Sequence, residues 1–298
     1  MDYTVKPEEN GRKVRDILRR SMGVSYTALK SAKWNGRIRL NGETVRADAV
    51  VAPGDRVSIE WAEDEPVYAL KPYQIDLEIP WMDEHLMIVN KPAGIASQAS
   101  RNHPDNALEN AVYAYFGCPE NFVYRPVNRL DKGTGGLMAV ARTPHAQHLL
   151  QRSLHTADFR RRYLALTDGV PKEAEGILDF PIGKMPGTTV KRMVCEDGKP
   201  SRTRYRVLRE VNGGALLLLE LETGRTHQIR VHLSHIGCPV RGDFLYGTEQ
   251  PEKFPGCFAL HSALLETLHP ITGERIIVAS LPDWAGDIGR DVLFMDLN

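Results

Sequence analysis

The run Pro126-Val-Asn-Arg-Leu-Asp-Lys-Gly-Thr-Gly-Gly-Leu-Met-Ala-Val-Ala141 constrains this chain more than any other, because it sets one carboxylate, Asp131, between an apolar strand and a glycine-rich turn. Val127 and Leu130 read as the end of a strand. Gly133, Gly135 and Gly136 permit a tight backbone path, and Leu137 to Ala141 reads as a second, buried strand. Asp131 is therefore expected to point from a rigid scaffold into a turn, where reactive side chains concentrate. Taken alone, an Asp ahead of a glycine-rich turn stabilises that turn more often than it catalyses, and on local grounds the turn-stabilising reading leads.

Other segments shift that balance. Val89-Asn-Lys-Pro-Ala-Gly94 lies upstream, and Arg160-Arg-Arg-Tyr-Leu-Ala-Leu166 downstream. Gly224-Arg-Thr-His-Gln-Ile-Arg-Val-His232 follows with Gly242-Asp, then Ala259-Leu-His-Ser and Leu268-His-Pro-Ile-Thr-Gly273. With the Asp131 run, this ordered set resembles the RluA-type pseudouridine synthases and their HRLDxxTSG motif over roughly residues 68 to 285, and the combination is far more specific than any one piece. The chain departs from the family pattern in three places. Asn128 and Gln98 stand where His is common, and Gly135 where Ser is usual. None of the three carries the chemistry.

The resemblance implies a reaction without redox change, hydrolysis or cofactor: the base is detached from the ribose, turned and rejoined through carbon 5. It implies Asp131 as the nucleophile or proton-abstracting carboxylate, Arg230 as its buried cationic partner, and Tyr163 as the ring that stacks on the target base and takes up the proton. Arg129, beside Asp131, would fill the gap left by an extruded nucleotide, since the reacting bonds are out of reach in a stacked helix. Read without the family, Arg230 is a helix-surface ion pair and Tyr163 is strand packing. Arg160, Arg161 and Arg162 either contact phosphates or solubilise a strand, and Lys91 is left outside the catalytic set.

The length of 298 residues leaves room for a large core and a smaller accessory domain. A content of 42% hydrophobic and 26% charged residues is that of an ordinary soluble globular chain. No run approaches a membrane span, Ala215 to Leu219 being only a short buried strand. Met1 to Glu9 lacks the pattern of a signal peptide, which gives the expectation of a cytoplasmic location. Cys118, Cys195, Cys238 and Cys257 form no CxxC pair and suggest neither a disulfide framework nor a zinc site. His145 with His148, and His227 with His232 and His235, can share a helical face. Each cluster lacks the partner ligands of a metal site, so none is expected, and the second is read as polar contacts to RNA or backbone.

A net charge of zero conceals an uneven distribution. From Gly11 to Leu40 nine bases face the lone acid Asp16, whereas Trp61 to Asn90 is acidic. Val14, Ile17 and Leu18 make a helical stripe with arginines on the other side. Ser25 can cap a second helix through Tyr26, Leu29 and Ala32 that ends at Gly36. Ile38 and Leu40 alternate with bases, Asn41-Gly42 is a tight hairpin turn, and Val57, Ile59 and Trp61 mark a last strand. This helix-helix-hairpin-strand order resembles a small RNA-binding domain first known from a ribosomal small-subunit protein, of the S-four type. The resemblance implies RNA contacts from Arg12, Arg15, Arg19, Arg20, Lys30 and Lys33, although a charge run is more commonly a solvated face.

The expected organisation is a small α/β RNA-binding domain over 1–61, a linker over 62–72 with two prolines and three acids, and a catalytic domain over 73–298. Helices are expected around 105–116, 143–155 (capped by Thr143) and 225–236. The strands between them are too irregularly interleaved for a βαβ repeat, which gives an α+β domain. The family adds a mixed, mostly antiparallel sheet with a central cleft. The leading reading is a monomeric RNA pseudouridine synthase acting on structured RNA, ribosomal before transfer RNA. A second is an RNA-binding ribosome-assembly factor that kept the fold and lost turnover. A nucleoside hydrolase would want a second carboxylate, which the matched motifs do not supply near the turn.

Overall fold

The computed structural model describes residues 2–22, 24, 29, 38–59, 70–100 and 102–297. The chain divides into two compact units, Met1–Ala69 and Leu70–Asn298.

In the first unit, strands β1 (Asp2–Thr4), β2 (Ile38–Leu40), β3 (Glu43–Thr44) and β4 (Arg56–Ile59) form a sheet in the order β1-β4-β2-β3. Asn41 and Gly42 both take positive φ, 53° and 88°, as a two-residue hairpin matched to strand twist requires. The Asn41 side chain braces this turn, accepting from Arg56 N at 2.8 Å and donating to Asp55 Oδ1 at 2.8 Å. A short helix, α1 (Val14–Asp16), continues as a wider π-helical turn over Ile17–Ser21. Val14, Ile17 and Leu18 are fully buried with Ile38, Val57 and Ile59, which is the stripe read from spacing. The unit begins with a strand rather than a helix: β1 pairs antiparallel with β4 and is too short to show a period. Arg12, Arg15, Arg19 and Arg20 are exposed. The expected second helix with Lys30 and Lys33, together with Trp61 and most of the linker, lies outside the described residues.

The second unit is built on a ten-stranded sheet. Its strands are β5 (Glu78–Met82), β6 (Leu86–Lys91), β7 (Arg125–Pro126), β8 (Gly135–Ala141), β9 (Phe159–Asp168), β10 (Glu175–Asp179), β13 (Arg202–Val211), β14 (Gly214–Leu221), β15 (Leu260–Leu268) and β16 (Arg275–Ala279). The order is β10-β13-β14-β9-β15-β8-β6-β5, with β16 on β15 and β7 on β8. A separate hairpin joins β11 (Ile182–Lys184) and β12 (Arg192–Val194). Only the β15–β8 pairing is parallel among the described strands, so the sheet is mixed and mostly antiparallel.

The central strands are covered on both faces, and for that reason read as continuous apolar runs. Met138 and Val140 of β8 face one core with Met87, Val89, Leu130 and Tyr163, while Leu137, Ala139 and Ala141 face another with Leu86, Ile88 and Leu150. Where β8 and β15 meet, Gly136 sits at φ 106°, and a Cβ there would lie 2.3 Å from the Ser262 carbonyl oxygen, so no side chain is admitted. Among the described residues, the α-helices of this unit are α2 (Leu108–Tyr115), α3 (Pro144–Ser153) and α4 (Gln228–His235). Thr143 caps α3 as expected, its Oγ1 accepting from Ala146 N at 3.1 Å. The start of α2 falls at Leu108 because Asn110 Oδ1 accepts from Ala107 N, closing the first turn there.

The segment from Val127 to Leu130 departs from its expected strand, since β7 ends at Pro126. Val127 N still donates to the Ala139 carbonyl at 2.9 Å, and beyond it side chains replace the ladder. Asn128 Oδ1 accepts from Ala139 N at 2.9 Å, and Ser97 Oγ both accepts from Leu130 N (3.1 Å) and donates to Leu130 O (2.7 Å). None of the described helices is long and apolar enough to cross a membrane.

Candidate active site

Asp131 stands in an irregular loop held from behind. A Cβ on Gly133 would lie 2.4 Å from the Phe258 ring, so the glycine is what lets the loop close over that ring. Lys91, 1% exposed, donates from Nζ to the carbonyls of Pro92 (2.8 Å), Ile95 (2.9 Å) and Lys132 (3.4 Å), and Gly94 N donates to Lys132 O. The NKPAG turn is thereby stapled to the Asp131 loop. Burial pushes the Lys91 ammonium down to about 7, with the charge of Asp131 opposing that shift.

Asp131 itself is quarter-exposed, and a cleft lined by Arg129, Tyr163, Arg225 and His227 opens beside it. Arg230 on α4 is 2% exposed and fully engaged. Its Nη1 donates to Asp131 Oδ2 at 3.0 Å, while Nε and Nη2 grip Asp243 bidentately at 2.6 and 2.8 Å. Asp243 has no exposed surface, and its Oδ1 also accepts from Leu245 N and Tyr246 N. The Phe258 ring lies 4.2 Å from the guanidinium carbon and the Tyr246 ring 5.0 Å. Burial disfavours this cation, but the Asp243 hydrogen bonds and the Asp131 charge outweigh it and raise the Arg230 pKa.

The start of α4, later than expected, explains how Arg230 reaches the loop. His227 takes a left-handed conformation at φ 60°, and the Gln228 side chain occupies the place of a first helical turn. Its Oε1 accepts from Arg225 N and Thr223 Oγ1, and its Nε2 donates to Arg202 O and Thr203 Oγ1. A positive φ at a non-glycine residue costs energy and is retained where surrounding contacts enforce it. Here those contacts turn the imidazole toward Asp131, with Nε2 3.9 Å from Oδ2. Its Nδ1 meets Tyr246 Oη at 2.8 Å, and that oxygen accepts from Arg192 N at 2.8 Å. The neutral tautomer with its proton on Nε2 accepts the Tyr246 hydroxyl at Nδ1 and directs its own N–H toward the carboxylate; the other tautomer donates from Nδ1 to Tyr246. Burial lowers the His227 pKa, in keeping with a neutral ring.

Tyr163 is 4% exposed on β9, between Leu219 of β14 and Ser262 of β15, with burial raising its phenol pKa. Arg129 is exposed on the rim of the same cleft. Asp131, Tyr163, Arg230 and Arg129 thus share one site.

The basic run is different. Arg162, 3% exposed, donates to Glu220 and to the carbonyls of Leu293 and Met295; Arg160 pairs with Glu220; Arg161 is buried over the Phe159 ring. Arg160 and Arg162 are engaged in ion pairs and strand ties, and Arg161 in packing. His232 is buried against Thr203 Oγ1 and the Phe180 carbonyl, a structural contact. Asn128 holds β8 by its oxygen, while its buried Nδ2 has no partner among the described residues. A side chain on Gly135 would meet His261 Nδ1 at 3.3 Å.

Three contributors were not assigned from sequence: Asp243, His227 and Tyr246. The Gly242-Asp pair is visible as a motif, but nothing local says that its carboxylate lies under Arg230. Among the described residues, no group of three His, Cys, Asp or Glu side chains could hold a metal ion.

This geometry coincides with extensive similarity to known proteins. The profile of the family described as RNA pseudouridylate synthase matches residues 85–235. The chain is 34% identical over 257 residues to the uncharacterized RNA pseudouridine synthase YjbO of Bacillus subtilis, covering 86% of this chain and 90% of that protein. It is 34% identical over 307 residues to the ribosomal large subunit pseudouridine synthase D of Escherichia coli, covering 97% and 91%. The solved structure of human RNA pseudouridylate synthase domain containing 1 superposes with a TM-score of 0.59 at 27% identity, covering 70% of this chain and 84% of that one. The chain belongs to the RNA pseudouridylate synthase family, isomerases that turn uridine into pseudouridine within RNA.

Proposed function

We propose that this enzyme modifies specific uridines of ribosomal RNA with Asp131 as its one catalytic carboxylate. The observation that carries this reading is the buried Arg230, which spans Asp131 and Asp243. Of the two carboxylates, Asp243 is sealed from solvent and bound on both oxygens, whereas Asp131 keeps a face open to the cleft. One available carboxylate suits an isomerisation and argues against the two-carboxylate chemistry of a glycosidase. Arg230 and His227 orient the Asp131 carboxylate toward an extruded nucleotide, with Arg129 on the rim to occupy the vacated stack. The E. coli relative's name, a ribosomal large subunit synthase, supports ribosomal RNA as the substrate. Release of tritium from RNA labelled at uracil carbon 5 tests the reading. An RNA-binding factor without turnover would bind the same RNA and release none.

Tyr163 is assigned the proton from carbon 5. Burial raises the phenol pKa, so Tyr163 is protonated at rest, and as the carbon-5 proton arrives its own proton passes to the Asp131 carboxylate lining the same cleft. Tyr163→Phe retains the stacking ring and is expected to bind RNA within about twofold of wild type while releasing tritium at least ~100-fold more slowly. Wild-type turnover in this variant would make Tyr163 a packing residue.

The first unit, with its exposed Arg12, Arg15, Arg19 and Arg20, is assigned as an RNA clamp of the S-four type, to which Lys30 and Lys33 also belong by sequence. Its own core supports removal as a unit. Deleting residues 1–69 is expected to leave a folded enzyme that binds RNA more weakly. Its log-log salt slope should fall by roughly 0.7 to 0.9 for each phosphate that the unit neutralises in the intact enzyme. An unchanged slope in filter-binding titrations sinks the assignment.

A further inference from the structure

A second cavity, of about 310 Å³, opens near the end of β8 remote from Asp131. Phe116, Phe122 and Tyr124 line it, with the guanidinium groups of Arg125 and Arg142. Met87 and Val140 also contribute, and they belong to the same apolar core as Leu130 and Tyr163. Cavity and catalytic cleft therefore lie on one face of the sheet, separated by the length of β8, about 20 Å at ~3.3 Å per residue.

The groups around this cavity resemble a ligand platform more than a core wall. Phe122 lies 5.2 Å from Tyr113 at a 53° tilt, Phe116 meets Tyr115 edge-on at 5.2 Å, and the Arg142 guanidinium covers the Phe116 ring at 5.0 Å. Of the lining residues, Val123 is 56% exposed, and Phe116 and Phe122 are half-buried. Arg142 donates to the Asp83 carbonyl and Arg125 to the Val123 carbonyl, and neither is paired with a carboxylate among the described residues. A half-buried aromatic lining with two guanidinium groups that no described carboxylate pairs suits a ligand that has a flat apolar face and a negative charge. A nucleotide of an unpaired strand has both, and aromatic rings or guanidinium planes are the surfaces on which such bases stack.

We propose that this cavity is a subsite for single-stranded RNA, holding a substrate nucleotide a few positions from the uridine at Asp131. The base stacks on Phe122 or on the Arg142 plane, and the phosphate meets Arg125 and Arg142. The subsite rests on the reading of the Asp131 cleft as the place of RNA modification.

The test uses the full chain and a hexauridylate carrying one 4-thiouridine, cross-linked by long-wave ultraviolet light and mapped by mass spectrometry. Adducts are expected on peptides containing residue 116 or residues 122–125. Phe122→Ala should weaken hexauridylate binding at least about fivefold. Since Phe122 is partly buried, Arg125→Gln and Arg142→Gln provide a second measure, each expected to lower the salt slope by about 0.7. Adducts confined to other peptides, or unchanged affinity and slope in both arginine variants, overturn the subsite. If the wild type meanwhile releases tritium from RNA, the catalytic reading stands without it; if it neither cross-links nor releases tritium, both fall. A change in the sedimentation of the RNA-free protein on Arg142→Gln, from dimer to monomer, makes the cavity a self-association face and also overturns the proposal.

Discussion

Asp131→Asn is expected to abolish turnover while the protein folds and binds RNA as before. The loop that carries Asp131 is held by groups the substitution leaves in place: Thr134 N donates to the Asp131 backbone carbonyl at 3.1 Å, Lys91 and Gly94 hold Lys132, and Ser97 holds Leu130. An asparagine also keeps an oxygen that can accept from Arg230 Nη1. What disappears is the negative charge, without which the carboxylate can neither attack nor take a proton. The rate of tritium release should fall by roughly four orders of magnitude or more, the scale on which a lone nucleophile or acid–base group acts. The melting midpoint should move by no more than about 4 °C. Asparagine is as much at home in such turns as aspartate, so near-normal turnover would return Asp131 to the role of a turn residue.

Arg230→Ala is expected to cost both stability and activity. The cation lies between two carboxylates, and its removal leaves Asp243, fully buried, with the backbone donors of Leu245 and Tyr246 alone among the described residues. Breaking a buried pair from one side typically costs about 3–5 kcal/mol, because the remaining charge is uncompensated. That corresponds to a drop in melting midpoint of roughly 6–20 °C for a domain of this size. Activity should fall at least ~100-fold as Asp131 loses its fixed partner. Arg230→Lys restores a charge but not the fork that grips Asp243 while reaching Asp131, so it should recover part of the stability and little activity. Adding Asp243→Asn to Arg230→Ala removes the stranded charge and should raise the midpoint again without reviving catalysis. A stable, fully active Arg230→Ala protein would refute the bridging role.

Much of this arrangement is legible in the chain because it is local. The α1 stripe of Val14, Ile17 and Leu18, the Asn41-Gly42 hairpin and the Thr143 cap each depend on residues within a few positions of one another, and all three form as their chemistry requires. The failures have an equally physical origin. Val127 to Leu130 carries a strand-like pattern, but Ser97 and Asn128 supply the hydrogen bonds a neighbouring strand would have given. Helix α4 begins late because the Gln228 side chain binds Thr203 and Arg202 from another strand, and the short β1 exists only through its pairing with β4.

The candidate site divides along the same line. The ordered motifs by themselves determined the family, the fold class and the identities of Asp131, Tyr163 and Arg230 as the side chains to examine. Only the tertiary structure decided their surroundings: that Arg160 to Arg162 are consumed in ion pairs, strand ties and packing, that Asp243 anchors Arg230 from below, and that a left-handed His227 with Tyr246 faces the carboxylate. A motif specifies residue types along one strand or turn. Whether a buried charge is paired, and with what, depends on partners contributed by distant segments, because a low-dielectric interior tolerates a charge only where the whole fold brings its counter-charge to it.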